Sequence, residues 1–233
     1  MRAPTTGLLH PIAIAPKKTC AFIKKMLKYS TRFLIERMSV MSGHTVIIEG
    51  SGKHCHVTRE TLDILYGEGF ELEVKKMLSQ PGQFTTPHKV TVEGPRGSLQ
   101  MTIIGPCRKV NQIELSLTDA VTVGIDAPIR ESGDVAGSPG CRLIGPNGEI
   151  EISEGVIASK RHIHLTPEDA EKFGLSDKQI VQVRIQGERG LIFDEVVARV
   201  SPEYATFMHI DYDEVNAAAL AKPDAVVIGE ILA

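Results

Sequence analysis

Two stretches of this sequence decide its fold: GKHCHVTRETLDILYG at residues 52–67 and KRHIHLTPEDAEKFG at residues 160–174. Each contains a His-x-His pair, continues with a threonine and ends on a glycine. His54 and His162 are 108 residues apart, and so are His56 and His164. A fixed spacing between similar segments is the signature of a repeated structural unit. We therefore interpret the chain as an internal repeat.

The similarity extends beyond the histidine pairs. The segment ELSLTDA (114–120) aligns with HIDYDEV (209–215), and Pro95-Arg96-Gly97 aligns with Glu188-Arg189-Gly190. The first of these alignments places Glu114 opposite His209. Each repeat therefore contributes a His-x-His pair and one further side chain that can bind a metal.

The rest of the body indicates a mainly β protein. Short β-branched runs alternate with glycine and proline turns, as in TVIIEG (45–50), MTIIG (101–105) and VVIGEI (226–231), which is typical of antiparallel sheets or barrels. Few helices are expected, and the clearest candidates are residues 59–66, 167–173 and 213–221. In the second of these, Thr166 is a predicted N-cap, Pro167 the first helical residue and Gly174 the C-terminal glycine.

The paired histidines predict two metal sites. Residues i and i+2 of a strand point to the same face, so the two imidazoles of each pair converge. Two imidazoles and a third ligand leave one coordination position open, which is the pattern of catalytic rather than structural zinc sites. The predicted sets are His54, His56 and Glu114 in the first repeat and His162, His164 and His209 in the second. A half-exposed strand without metal is the alternative for either pair alone.

The segment GPCRKVNQIE (105–114) leads into Glu114 and carries two further candidates. Arg108 is suited to bidentate binding of phosphate or carboxylate, although a solvated turn is the alternative. Cys107 is the one plausible nucleophile nearby, and it would need a basic neighbour to lower its pKa.

Composition and charge exclude several classes of protein. The chain has 233 residues, 42% of them hydrophobic, and contains no apolar stretch long enough to span a membrane. Its four cysteines, Cys20, Cys55, Cys107 and Cys141, are too scattered to suggest a disulfide framework. Residues 1–40 carry a charge of +7 and the remainder −10, which argues against a nucleic-acid-binding body. Tryptophan is absent and aromatic residues make up 5% of the chain.

The N-terminal segment differs from the body. Residues 1–16 are predicted to form an irregular arm, and residues 18–38 (KTCAFIKKMLKYSTRFLIERM) a basic amphipathic helix. This helix can pack on the body, dock into a partner or shell, or be a membrane-surface helix or a mitochondrial-type presequence.

Four segments together resemble the PduL-type phosphate acyltransferases, or phosphotransacylases. They are GVIASKRHIHLTPEDAEKFG (155–174), PCRKVNQIELSLTDA (106–120), IDAPIRESGDVAGSPG (125–140) and MHIDYDEVNAA (208–218). The resemblance covers roughly residues 45–225. It implies reversible transfer of an acyl group between coenzyme A and phosphate, assisted by two zinc ions in a cleft between two β-barrel domains.

The resemblance also assigns residues. His162, His164 and His209 would bind one zinc ion, His54, His56 and Glu114 the other, and Arg108 would bind phosphate. Family members that work inside bacterial microcompartments often carry an N-terminal encapsulation helix, and residues 18–38 look like one. This favours docking to shell or core proteins in the microcompartment lumen; otherwise the cytoplasm is expected.

The predicted organisation has three parts: an N-terminal arm with the helix (1–44), a first β-barrel half (45–135) and a second (136–233). A homo-oligomer is expected. The first motif departs from the family pattern, which commonly reads Asn-Arg-His-Val-His, because this chain has Gly52 and Lys53 before its histidines. Lys53, Arg161 and Arg130 are candidates for binding the phosphates of coenzyme A. Two other classes remain open: a two-metal hydrolase and a zinc-stabilised structural or shell-associated protein.

Overall fold

The computed structural model describes residues 43–220 and 226–232. The predicted N-terminal helix over residues 18–38 lies outside the described residues. All the described residues belong to one unit, which begins at Gly43. Within them, no helix is both long enough and apolar enough to cross a membrane.

Strands dominate the described residues. The strands are β1 (His44–Ser51), β2 (His54–His56), β3 (Lys76–Met77), β4 (Phe84–Glu93), β5 (Ser98–Gly105), β6 (Gln112–Glu114), β7 (Ile129–Arg130), β8 (Cys141–Ile144), β9 (Glu149–Ile152), β10 (Val156–Ser159), β11 (His162–Leu165), β12 (Ile180–Ile185), β13 (Leu191–Val200), β14 (Phe207–Asp211) and β15 (Val227–Leu232). The helices are α1 (Arg59–Tyr66), α2 (Leu117–Val123), α3 (Pro167–Phe173) and α4 (Tyr212–Ala217).

The strands form two sheets. Six of them close into a barrel in the order β1-β14-β11-β13-β12-β15. The other nine form a second sheet in the order β7-β10-β6-β2-β5-β4-β8-β9, with β3 paired to β4. The prediction of a mainly β protein built from two barrel-like parts with a few short helices is confirmed. The predicted antiparallel pairing is found only in part, because both sheets are mixed: β1 runs parallel to β14 and β2 runs parallel to β5.

The two sheets exchange strands across the predicted division at residues 135/136. Strand β1 precedes that division but pairs with β14 of the closed barrel. Strands β8, β9 and β10 follow it but belong to the second sheet, where β8 pairs with β4 and β10 with β6. Strands β1 and β10 occupy equivalent positions in the two repeats. Each directly precedes a His-x-His strand, and each runs parallel to the strand that carries the third predicted ligand of the other repeat. The two halves are therefore joined by backbone hydrogen bonds, and the division into domains stays a prediction.

The helices begin and end where the repeat places its caps. The side chains of Thr58 and Thr166 accept hydrogen bonds from the backbone N–H groups of Thr61 and Asp169, at the starts of α1 and α3. Gly174 ends α3 in the left-handed conformation with φ of 66°, which glycine adopts at little cost. The predicted helices 59–66 and 167–173 are confirmed, and the third candidate, 213–221, is found as the shorter α4.

Helix α2 was not predicted. Its sequence LTDAVTV is rich in β-branched residues, which have low helix propensity. Ser116 caps its start and Gly124 its end, so the caps and tertiary packing override the propensity. Ser116 and Asp211 occupy equivalent positions in the aligned segments and cap α2 and α4, respectively.

Candidate active site

The His-x-His pairs lie on β2 of the second sheet and on β11 of the barrel, and they face away from the hydrophobic cores. Cys55 and Ile163, the residues between the histidines, are fully buried in the two core clusters. By the alternation of strands, the four flanking imidazoles point to the opposite face. The sequence prediction that each pair converges is therefore consistent with the packing.

The third predicted residue of each set is a cross-strand neighbour of the first histidine. Glu114 on β6 pairs in register with His54 on β2. His209 on β14 pairs in register with His162 on β11. Within each set of three, the atoms able to bind a metal all lie within 4.8 Å of one another. The structure thus brings together both sets that the sequence predicted.

Backbone carbonyl groups orient three of these imidazoles. The Nδ1 atoms of His54 and His162 lie 2.8 Å from the carbonyl oxygens of Gly52 and Lys160, which occupy equivalent positions in the two repeats. The Nδ1 atom of His56 lies 3.2 Å from the carbonyl oxygen of Ile104. Donation of Nδ1–H to these oxygens leaves Nε2 with a free lone pair, which is the arrangement typical of histidine metal ligands.

The three-histidine set is held neutral. Burial lowers the pKa of His164 to about 2 and that of His209 to about 3, and in both cases the charge of neighbouring histidines lowers it further. Burial also lowers the pKa of His162. Unprotonated imidazoles are the form that binds metal ions.

The first set contains an anion. Burial disfavours protonation of His54, but the charge and hydrogen bonding of Glu114 outweigh it and raise the pKa of His54. Burial also opposes ionisation of Glu114, but the charge of His54 and a hydrogen bond to it hold the pKa of Glu114 well below its usual value. Burial lowers the pKa of His56. A bound metal ion would stabilise the ionised form of Glu114, as the positive charge of protonated His54 does.

One observation tests directly whether these residues fit a metal. Across residues 43–220 and 226–232, only two buried side-chain nitrogens have no hydrogen-bond partner: Nε of Arg59 and Nδ1 of His164. A buried polar atom without a partner is costly, and a metal ion at this cluster would engage the imidazole of His164. Imidazole and carboxylate are both ordinary zinc ligands, so the two sets fit this metal.

Both sets line one cleft, with a volume of about 400 Å³. Two arginines line it as well, Arg108 from the loop before β6 and Arg199 from β13. Arg199 pairs in register with His164. Burial lowers the pKa of Arg108, and the charge of Arg199 lowers it further. Two guanidinium groups that repel one another in a partly buried cleft create a site for an anion.

Few groups neutralise these arginines. The Nη1 atom of Arg108 lies 3.5 Å from the Oγ atom of Ser132. The Nε atom of Arg199 lies 3.8 Å from a carboxylate oxygen of Glu131, and its guanidinium lies 5.8 Å from the centre of the Tyr204 ring. Both arginines therefore retain donors that a phosphate group can accept.

The basic residues suggested for coenzyme A each have an acidic partner. Lys53 lines the cleft, and its Nζ atom lies 2.9 Å from Oδ1 of Asp119. The Nε atom of Arg161 lies 2.6 Å from Oε1 of Glu214. The Nη1 atom of Arg130 lies 3.1 Å from Oδ2 of Asp134. The pairs of Lys53 and Arg161 are equivalent in the two repeats.

The three cysteines among the described residues are poor nucleophiles. Burial raises the pKa of Cys107, and Cys107 is not among the described residues that line the cleft. Cys55 and Cys141 are buried, and burial raises the pKa of Cys141 to about 12.

Sequence reasoning missed Glu49, Ser132 and Arg199 as residues of the cleft. Ser132 accepts a hydrogen bond from Gln112, which in turn donates to Glu114. Arg199 lies on β13, outside the motifs that the sequence analysis identified. The register of β11 and β13, which places Arg199 beside His164, has no local sequence signal.

Comparison with known proteins identifies close relatives. The sequence model of a family described as phosphate propanoyltransferase matches residues 47–221. A phosphate propanoyltransferase of Listeria monocytogenes is 51% identical over 178 residues, which cover 76% of this chain and 84% of the relative. One of Enterococcus faecalis is 48% identical over 190 residues, covering 81% and 90%. One of Thermotoga maritima is 47% identical over 187 residues, covering 79% and 89%.

Proposed function

This chain belongs to the phosphate propanoyltransferase family, and we propose that it transfers a short acyl group reversibly between coenzyme A and phosphate. It is thus an enzyme, a phosphate acyltransferase. The observation that carries the proposal is the cleft itself, where two sets of metal-binding side chains lie beside two arginines with free donors. Such a cleft suits a reaction between a thioester carbonyl and a phosphate.

Two zinc ions per chain are proposed as cofactors. His54, His56 and Glu114 would hold one, and His162, His164 and His209 the other. Bound zinc would supply Lewis-acid polarisation of the carbonyl and phosphate oxygens. The geometry that supports this assignment is the convergence of three donor atoms in each set within 4.8 Å. Three protein ligands would leave a coordination position for substrate.

Arg108 and Arg199 bind the phosphate in the proposed mechanism. Both already line the cleft, so a phosphate that enters would exchange water for donors that the fold has brought together. A phosphate oxygen attacks the thioester carbonyl carbon and forms the new C–O bond. The C–S bond then breaks, the thiolate of coenzyme A leaves, and the proton lost by phosphate is taken up by that sulfur. Acyl phosphate and coenzyme A are the products.

A covalent route through Cys107 is the rival mechanism. It requires a thiolate within reach of the acyl group. Burial raises the pKa of Cys107 and its side chain lies among the hydrophobic residues packed on the core of the second sheet. These features favour direct attack by phosphate.

Coenzyme A is proposed to bind near Lys53 and Arg161. Each carries a positive charge at the start of a His-x-His strand, with side chains about one third exposed, at 37% and 33%. Their acidic partners Asp119 and Glu214 hold the two cations in place, so a diphosphate would compete with carboxylates for them. Lys53→Ala is expected to raise the KM for acyl-CoA without changing the KM for phosphate.

The experiment that tests the reaction is release of coenzyme A from acetyl-CoA and propanoyl-CoA, with and without phosphate. Acyl transfer predicts release only with phosphate, and acyl phosphate as the product. Phosphate-independent release with free acid as the product would instead identify a two-metal hydrolase. No release from metal-loaded protein would leave a structural or shell-associated role.

The proposed location is the lumen of a bacterial microcompartment. The support is the basic amphipathic pattern of residues 18–38 in the sequence, which is suited to docking on shell or core proteins. Deletion of residues 1–42 should preserve acyl transfer and abolish co-purification with shells. Co-purification of the truncated protein would contradict this placement.

A homo-oligomer is also proposed. Three large apolar side chains are exposed at the starts and outer faces of α2 and α4: Leu117, Val121 and Tyr212, with exposures of 46%, 68% and 50%. The two helices are adjacent, because Asp213 accepts a hydrogen bond from the backbone N–H of Thr118. Light scattering of the intact chain tests the prediction, and a monomer at micromolar concentration would contradict it.

A further inference from the structure

A carboxylate that belongs to neither predicted set lies beside the three-histidine cluster. Glu49 on β1 pairs in register with His209 on β14, which pairs in register with His162 on β11. Ile48 and Met208, their neighbours along the strands, are buried in the barrel core. Glu49 and His209 therefore face the cleft together, and Oε2 of Glu49 lies 3.3 Å from Nε2 of His209.

The carboxylate of Glu49 is held in this position. The hydroxyl of Ser79 donates a hydrogen bond of 2.6 Å to the same Oε2 atom. Ser79 lies in the connection between β3 and β4, which is itself fastened to the barrel. The neighbouring Gln80 donates to the carbonyl of Ala205 at 2.9 Å and accepts from the N–H of Ala205 at 3.3 Å.

Comparison of the two repeats shows that only the three-histidine site has a glutamate at this position. The residue 108 positions after Glu49 is Ile157. Ile157 on β10 pairs in register with Glu114 on β6, just as Glu49 on β1 pairs with His209 on β14. Both pairings are parallel. The first site therefore has an anionic third ligand beside an apolar neighbour, and the second has a neutral third ligand beside an anionic neighbour.

We propose that Glu49 is the positioning carboxylate of the three-histidine metal site, orienting His209 and supplying the negative charge that Glu114 supplies in the other site. The inference rests on the metal sites assigned under the proposed function. It gives each zinc ion one carboxylate, bound directly in the first site and hydrogen-bonded through a histidine in the second. The two ions thus experience a similar net charge.

The hydrogen bond also selects the nitrogen that binds the metal. When Nε2–H of His209 donates to Glu49, the free lone pair is on Nδ1. His54 and His162 show the opposite arrangement, since their Nδ1 atoms face backbone carbonyls. A carboxylate acceptor makes the imidazole a stronger ligand than a carbonyl acceptor does, and loss of such a partner typically weakens metal binding about 10–100-fold.

The test is zinc affinity of the full-length Glu49→Gln variant, measured by competition with a chromophoric chelator. Glutamine keeps the size of the side chain and removes its charge. We expect two zinc ions per wild-type chain, and in the variant one of the two to bind about 10–100-fold more weakly. His164→Ala identifies which binding step belongs to the three-histidine site. Ser79→Ala is expected to weaken the same step by less.

The matched control is Glu151→Gln, which removes an exposed carboxylate from β9 and should leave both affinities unchanged.

Cobalt(II) spectra separate the proposed role from direct ligation. A positioning carboxylate predicts the same coordination number in wild type and Glu49→Gln, and a lower number in the variant would overturn the proposal. Equal affinities in the two proteins would also overturn it while leaving the metal sites intact. A wild-type chain without zinc would overturn the metal assignment as well.

Discussion

At the scale of single residues, the chemistry of the cleft depends on which ionisable groups are charged. His164 and His209 are neutral because burial and neighbouring imidazoles disfavour their protonation. Arg108 has few partners within hydrogen-bond distance, the nearest described being Ser132. An anion that enters the cleft therefore meets charged donors with few hydrogen-bond partners among the described residues, while the imidazoles remain available to a metal.

Arg108→Ala is expected to raise the KM for phosphate. A charge-assisted hydrogen bond contributes about 1.5–3 kcal/mol, which corresponds to roughly a 10–100-fold increase. Steady-state kinetics with phosphate as the varied substrate measures it. Lys109→Ala is the matched control, because Lys109 is adjacent in the chain and exposed. An unchanged phosphate KM in Arg108→Ala would remove the proposed role of this arginine.

Cys107→Ala is expected to retain full turnover. The raised pKa of this thiol leaves little thiolate at neutral pH, and direct attack by phosphate does not require it. The measurement is kcat with propanoyl-CoA, together with a search for acylated protein by mass spectrometry. A large loss of kcat, or a covalent acyl group on wild-type Cys107, would favour the acyl-enzyme route.

At the scale of secondary-structure elements, each His-x-His strand continues directly into a capped helix. Thr58 and Thr166 end the turns after His56 and His164 and begin α1 and α3. The caps fix where the strand stops, and so fix the last histidine relative to the sheet. The strand, the cap and the helix are encoded in consecutive residues. The sequence therefore predicts the first and last residues of both helices correctly.

Thr166→Ala should destabilise the protein. The substitution removes the side-chain acceptor of the Asp169 N–H, a hydrogen bond of 3.1 Å, and loss of an N-cap costs about 0.5–2 kcal/mol. Urea unfolding of the two proteins gives the difference in the free energy of unfolding. Glu171→Ala, at an exposed position of the same helix, is expected to change it by less than about 0.5 kcal/mol. Equal stabilities of Thr166→Ala and wild type would show that the cap is dispensable.

The sequence predicts those site residues that belong to a short local motif or that recur in both repeats. The alternation of His54 and His56 is visible in three residues, and alignment of the repeats adds Glu114 and His209. Glu49 and Arg199 could not be found in this way, because their places depend on the pairing of β1 with β14 and of β11 with β13. Parallel pairs between strands distant in sequence leave no periodic signal in either strand. Helix α2 was missed for the opposite reason, since its local propensity points away from the structure it adopts.

At the scale of the whole molecule, the exchange of β1 and β10 joins the two sheets. Each repeat contributes its first strand to the sheet of the other, parallel to the strand that carries the third ligand. The two ligand sets then face the same cleft. An approximate twofold relationship therefore produces two similar sets of candidate metal ligands. The sets differ chemically, because His209 takes the place of Glu114 as the third ligand and Glu49 takes the place of Ile157 beside it.

Metal-free protein is expected to lose stability on acidification. His164 and His209 have pKa values of about 2 and 3 in the folded state, against about 6.5 when unfolded. Between pH 6.5 and the folded values the unfolded chain binds more protons, so the free energy of unfolding falls as pH falls. The loss is at most about 1.4 kcal/mol per histidine per pH unit.

Urea unfolding in the presence of a chelator, at pH 7, 6, 5 and 4, measures this dependence. His209→Asn removes one of the histidines whose pKa is lowered in the folded state and should reduce the slope. A free energy of unfolding that is independent of pH in this window would contradict the assignment of both histidines as neutral.

Metal reconstitution tests the central claim most directly. The chain would be stripped of metal with a chelator and titrated with zinc, while the rate of phosphate-dependent coenzyme A release from propanoyl-CoA is followed. The account predicts no activity without metal, a rise that saturates at two zinc ions per chain, and no release at any zinc level when phosphate is omitted. Full activity in the metal-free chain, or saturation at one zinc ion, would contradict it.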